Sequence, residues 1–349
     1  IFDLTETIQD SIQYKNNVHT FNLLYKRNLR ENISLGIKTE TGMSGAQYIN
    51  YKDARAPESI NDYFYDLAFV TDFEDKKITV ELGYKDIGAD FLSPGAQTKR
   101  INYSKFPGLY QQISNNVTGR PISYTDFISG NTENSIKISE ELIPYFAGYN
   151  NMNPYGDATP NRRGVYLNLV RTDSVKFKNS FVKAAFMTQS RGTGTSKKKK
   201  FIQIEAGTDV YINDFFGWKK QLKLDLGLRY ENTSRTGEVY EKVKLNSTFI
   251  DAGISWEFAE KLDLLVGAKV WVVKGNTYVN LRNQFNAIEN FDILDYNFSE
   301  NTYASGLRYR FNDKNTLSAQ YQFFDVKHKD ATSVNYGISQ FTFLYSLTF

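Results

Sequence analysis

Cysteine is absent from the 349 residues, which removes disulfides, thiol catalysis and Cys-ligated metals together. Long hydrophobic runs are absent too. No stretch of about 18 uncharged apolar residues occurs, so no helix of this sequence spans a bilayer. Charge of one sign is nearly lacking in the balance: 42 basic against 39 acidic side chains leave a formal +3, too little to argue for nucleic acid. The basic run Lys197 to Lys200 is short and more plausibly meets phosphate, a partner or water. Proline is scarce, and six of its seven copies lie between Asp86 and Arg163. No basic segment followed by an apolar one opens the chain, so any secretory leader is expected to lie outside this sequence.

What is present is strict alternation. Near the C-terminus Phe341, Phe343, Tyr345, Leu347 and Phe349 fall on one parity and Gln340, Thr342, Ser346 and Thr348 on the other. A period of two is that of a β-strand with one oily face. The pattern recurs. Leu222, Leu224, Leu226, Leu228 and Tyr230 oppose Lys223, Asp225, Gly227, Arg229 and Glu231; Ile250 to Phe258 and Leu262 to Val270 repeat it around a turn at Ala259 and Glu260. Further strands are expected at Phe2 to Ile8, Phe21 to Tyr25, Ile33 to Ile37, Tyr63 to Phe73, Ile78 to Tyr84, Val165 to Leu169, Phe181 to Thr188, Ile202 to Ile212, Ser305 to Phe311 and Leu317 to Phe323. No stretch is read as alternating in the complementary sense, with apolar residues on the face that is polar elsewhere.

Tight turns alternate with longer connections along the chain, which places short links on one rim and long loops on the other. Counting Phe2 to Ile8 gives about 14 strands, an even number that puts both termini on the short-turn rim. Aromatic residues near strand ends (Tyr25, Phe73, Tyr84, Tyr230, Trp256, Phe258, Tyr309, Phe311) suit interfacial girdles. The fold expected is all-β: a transmembrane antiparallel up-and-down β-barrel forming a single domain over 1–349. One long loop insertion, 86–163, interrupts it, because the proline-rich stretch loses the alternation and proline is expelled from sheet interiors. Short strands near Thr98 to Tyr103 and a helical turn at Ser139 to Ile143 are possible within it.

The polar parity carries whatever function the barrel itself has. Facing inward are the acids Asp66, Glu81, Glu205, Asp209, Asp225, Asp251 and Asp263 and the bases Lys85, Arg229, Lys269, Arg308 and Arg310. Two readings are open. The residues neutralise one another in a salt-bridge lattice, or they line a permeation path whose charge selects solutes. Since inward acids outnumber bases, any conductance is expected to favour cations. The inward glycines, among them Gly83, Gly207, Gly227 and Gly253, relieve crowding or make room for a solute or plug.

Catalysis has little support. His19 and His328 fall on opposite parities, no serine motif stands near either, and no loop has EF-hand spacing. No enzyme activity, metal or cofactor is expected. On these residues the chain resembles the outer-membrane β-barrel superfamily, whose closing strand alternates and ends on an aromatic residue. By size it is similar to mid-sized porins and fatty-acid-transporter-like barrels, and its wealth of Asn, Lys, Tyr and Phe is similar to that of Bacteroidota proteins. The resemblance implies a cell outer membrane location with both termini periplasmic. It also implies contact with outer-membrane lipid and lipopolysaccharide, and no nucleic acid. Two functions follow as expectations: a channel or transporter for small solutes, or a subunit that docks other outer-membrane proteins or lipoproteins through 86–163.

Overall fold

The computed structural model describes residues 12–50, 58–93, 96–97, 147–148, 150–172, 176–282, 288–312, 314–328 and 335–347. Thirteen strands form one antiparallel sheet in which each strand pairs only with its neighbours in sequence. They are β1 (Ile12–Arg30), β2 (Ile33–Asn50), β3 (Glu58–Phe73), β4 (Ile78–Ile87), β5 (Arg162–Arg171), β6 (Phe177–Thr188), β7 (Lys200–Tyr211), β8 (Leu222–Arg235), β9 (Val243–Ala259), β10 (Leu262–Arg282), β11 (Ile288–Asn312), β12 (Asn315–His328) and β13 (Tyr336–Leu347). Among the described residues helix is confined to a turn at Asn213–Phe216 and two short 3-10 turns. The up-and-down all-β architecture is thus as the sequence implies.

Closure differs from expectation: the described residues hold 13 strands, and β1 and β13 do not pair with each other. The expected first strand, Phe2 to Ile8, the expected elements at 98–103 and 139–143, and the terminal Phe349 lie outside the described residues. Ile12 opposite Asn50 stands on the long-loop rim.

The short rim shows why its turns are tight. Lys77, with φ 49°, closes the 3-10 turn Glu74–Lys76, Lys261 (φ 61°) turns β9 into β10, and Gly217 (φ 66°) ends the helical turn after β7. Each sits in the left-handed region that reverses a chain within a few residues.

Parity is borne out along a belt. Leu226, Leu228, Ile250, Ile254, Trp256, Val266, Leu307 and Tyr309 are all exposed on the outer face. In β8 the belt runs from Leu222 to Tyr230 and in β10 from Leu262 to Val270, the span of about 9–11 residues that a bilayer-crossing strand needs. Aromatic pairs mark its short-turn edge: Trp256 and Phe258 at 6.1 Å, Tyr309 and Phe311 at 5.0 Å, Phe216 and Trp218 at 5.1 Å.

Above the belt the sense of alternation inverts, contrary to the expectation that no stretch would do so. Leu245, Phe249, Trp271, Val273, Tyr296 and Phe298 point inward and form a buried cluster with Ala147, while Asn246, Lys274 and Asn276 take the outer parity. Trp271 and Phe298 meet edge to face at 4.9 Å, and the indole N–H of Trp271 donates to Ser247 Oγ at 2.9 Å. Burial of each such side chain contributes about 1.5–3 kcal/mol. The strands therefore run well past the ranges the outer-face pattern marks: β10 reaches Arg282 and β11 begins at Ile288.

Candidate functional site

The inner face at belt height is a lattice of ion pairs, some within one strand, some between adjacent strands and some reaching across the strand between. Lys26 bonds Asp72 at 2.7 Å, Lys38 bonds Glu81 at 3.2 Å and Lys85 bonds Asp66 at 3.3 Å. Lys223 bridges Asp225 at 2.6 Å and Asp209 at 3.4 Å. Arg308 and Arg310 both hold Asp263, at 2.8 and 3.0 Å, and Arg310 also reaches Glu257 at 2.8 Å. Arg229 donates to Glu231 at 2.9 Å and, with the Gln203 amide turned oxygen inward, to that oxygen at 3.0 Å.

Glycine has a specific use in this lattice. A Cβ on Gly83 would stand 2.3 Å from Cζ of Tyr166, so the bare backbone of β4 is what lets that ring lie across it. From there the Tyr166 hydroxyl donates toward Asp66 at 2.7 Å and Glu81 at 3.1 Å, tying β5 to β3 and β4. Gly227 does the same for Asp251, whose carboxylate occupies the space a side chain would take.

The described parts of the long connection between β4 and β5 fold across the inner face. Met152 N donates to Glu231 Oε1 at 2.5 Å and the Asn151 amide to Thr233 Oγ1 at 2.8 Å, both on β8. Near β1 and β2, Leu92 N donates to Ser44 Oγ at 3.1 Å and Asn16 Nδ2 to Leu92 O at 2.8 Å. Gln97 joins the two arms, donating to Phe91 O at 3.0 Å and Ala158 O at 2.9 Å. Arg162 anchors the return: its guanidinium donates to the carbonyls of Met152 at 2.6 Å and Asn151 at 2.9 Å and lies 4.0 Å from the centre of the Phe201 ring. Eight hydrogen bonds tie these described parts to one another and to the inner face of the sheet.

Beneath the insert lies a cavity of about 460 Å³ that brings together five of the residues read from parity: Asp66, Glu81, Lys85, Glu205 and Arg229. Asp209 with Asp225 forms a second cluster around Lys223, and Asp263 with Arg308 and Arg310 a third. Asp251 stands opposite Lys269 in register. The inward residues are thus gathered into separate clusters along the wall.

Sequence reasoning missed a second cavity, above the belt, of about 330 Å³. It is lined by Arg162, Lys199 and Arg235 together with Tyr155, Phe201, Thr277, Tyr278 and Tyr296. The signal was weak, because Lys199 sits inside a run of four lysines whose neighbours are exposed. Lys199 lies in the connection before β7 and turns inward, donating to Thr277 Oγ1 at 3.2 Å. Burial first, and then the charges of Arg235 and Arg162, push its ammonium down to about 7.

No protein-family model matches the sequence, and no curated protein matches it. Among solved structures the chain is similar to OmpT, an outer membrane protein of Vibrio cholerae. Its loop L8 deletion mutant aligns at 11% identity over 96% of this chain and 100% of that one, with a TM-score of 0.32. The outer-membrane expressed form aligns at 12% identity over 96% and 98%, with a TM-score of 0.30. The transport unit of the autotransporter AIDA-I from Escherichia coli aligns at 8% identity over 100% of this chain and 93% of that one, with a TM-score of 0.25. At these scores the likenesses carry no argument, and the functional reading rests on the strands and contacts of the chain itself.

Proposed function

We propose that the chain is an outer-membrane β-barrel protein that passes small solutes through a narrow polar lumen, with the connection between β4 and β5 as its constriction. The outward apolar belt, about nine residues tall per strand and edged by aromatic pairs, supports the membrane setting. The observation that carries the solute path is the inward fold of the insert, held at Asn151, Met152 and Arg162 over a cavity with mixed charge. An insert that served only to dock another protein has no need of such anchoring on the inner wall. The short-turn rim is read as periplasmic and the long-loop rim as extracellular.

Planar-bilayer conductance tests the path. The intact protein should give small unitary currents, and deletion of Gly108 to Tyr155 should raise them. Bilayers silent before and after the deletion, with loss of a co-purifying partner, would decide for a docking subunit instead. A cysteine at Lys198 should react with an impermeant label on intact cells while one at Lys76 stays protected; the reverse would invert the orientation.

A further inference from the structure

The second cavity differs from the rest of the inner wall in having cations without acids. Three positive side chains, Arg162, Lys199 and Arg235, line it, and none of its described lining residues is a carboxylate. Arg162 donates to the main-chain carbonyls of Met152 and Asn151. Arg235 is only 3% exposed and makes no ion pair among the described residues. Its Nε donates to the main-chain oxygen of Glu241 at 2.5 Å, while its Nη2 is buried with no partner. The Glu241 carboxylate is engaged elsewhere, taking Glu238 N at 3.1 Å and the Thr195 side chain. A buried guanidinium with an idle donor is costly unless something negative compensates it.

The remainder of the lining defines what that something is. Tyr155, Phe201, Leu294 and Tyr296 give the cavity an aromatic and apolar wall. A water molecule needs about 10–15 Å³ of such space, so about 330 Å³ admits a small organic molecule. Polar convergence on one side with an apolar wall on the other is the usual layout of a small-molecule site.

We propose that this cavity binds a small organic carboxylate with an apolar body, its acid group held between Lys199 and Arg235 and its body packed against Tyr155, Phe201 and Tyr296. The site lies above the belt, beside the insert that returns to the wall at Arg162. It names the solute class for the path proposed above and rests on that reading for its role in passage, whereas binding stands by itself. Burial first, and then the positive charges of Arg235 and Arg162, disfavour the proton on Lys199. An anion in the cavity would reverse that.

Isothermal titration of the detergent-folded full chain with benzoate tests it, with benzylamine as a cation of the same body and inorganic phosphate as an anion without one. Benzoate should bind saturably at one site, and Arg235→Gln and Lys199→Gln should each weaken it at least tenfold. Lys199→Arg should recover part of the loss. Heat-modifiable gel mobility reports folding; if Arg235→Gln fails to fold, Lys199→Gln carries the test alone. Absence of benzoate binding, or equal binding of benzylamine, would overturn the proposal, as would phosphate binding in place of benzoate, which would make the cavity a site for phosphate groups. Failure of the site and failure of the path are separable. Benzoate binding by a protein silent in bilayers would remove the path and keep the site, and the converse would do the opposite.

Discussion

The inner face at belt height and the inner face above it belong to the same side of one sheet and solve the problem of charge in opposite ways. At belt height acids meet bases on the same strand or up to two strands away, as Asp263 meets Arg308 and Arg310 and Asp72 meets Lys26. Above it, Arg162, Lys199 and Arg235 gather with carbonyls, hydroxyls and aromatic rings for company. The difference teaches that one polar face can hold two kinds of chemistry. Pairing dominates the lower wall, and the upper cavity is where the proposed anion would meet the cations.

The largest expected effect sharpens the boundary between the two. Trp271 is fully buried in the cluster that starts above the belt, so Trp271→Ala should cost about 3–5 kcal/mol in a folding titration read by gel mobility. A loss below about 1 kcal/mol would mean that the upper wall is not a packed core.

Next in size is the contrast between faces. Leu226→Arg places a charge on the outer belt and should cost about 2–4 kcal/mol in lipid, whereas its neighbour Asp225→Asn, on the inner face beside Lys223, should cost much less. Equal costs would mean the faces are interchangeable. Gly83→Ala comes third: with its Cβ 2.3 Å from Tyr166, the ring must leave its place between Asp66 and Glu81, at about 1–3 kcal/mol. Tyrosine-specific nitration should then reach Tyr166, which the intact protein shields.

The fourth expectation is a pH slope. Lys199 has its folded pKa lowered from 10.5 to about 7, so between those values the unfolded chain binds more protons than the folded one. Stability should therefore rise as pH increases from 7 toward 10.5, by at most about 1.4 kcal/mol per pH unit, with the penalty fully present below 7. Lys199→Met should flatten the slope. The smallest effect belongs to Lys26→Met: its pair with Asp72 is half open to solvent, and removal should cost under about 1 kcal/mol. A larger loss would show that the lower lattice is not made of interchangeable pairs.

Much of this was legible in the residues because a sheet with one oily face writes its period into the chain. From Leu222 to Tyr230 the outward set could be read directly, and the structure exposes Leu226 and Leu228 as expected. The upper strands were not legible for the same reason. Where Trp271 and Val273 turn inward, the apolar parity changes face, and a pattern followed on one face ends at Val270 although β10 continues to Arg282. The lower clusters follow from parity and register, since Asp66 and Lys85 are register partners. The upper cavity does not. It gathers Arg162, Lys199 and Arg235 from three separate parts of the chain, and its charge is visible only once pairing is known. Counting acids against bases along the inward parity, which led to an expected preference for cations, cannot distinguish a neutralised acid from a free one.

The inversion of polarity just past Tyr230 and Val270 also fixes a vertical coordinate. In the proposed membrane setting, sliding the protein outward by two residues would lift Tyr230 and Val270 out of hydrocarbon into the upper interface. Sliding it inward by four would drag Lys274 into hydrocarbon, with its register neighbours Asn246 and Asn232. Either shift carries a mismatch cost that grows with each ångström. In that setting the sheet would be its own waterline, and the upper cavity would keep a constant depth on the long-loop side of the apolar belt.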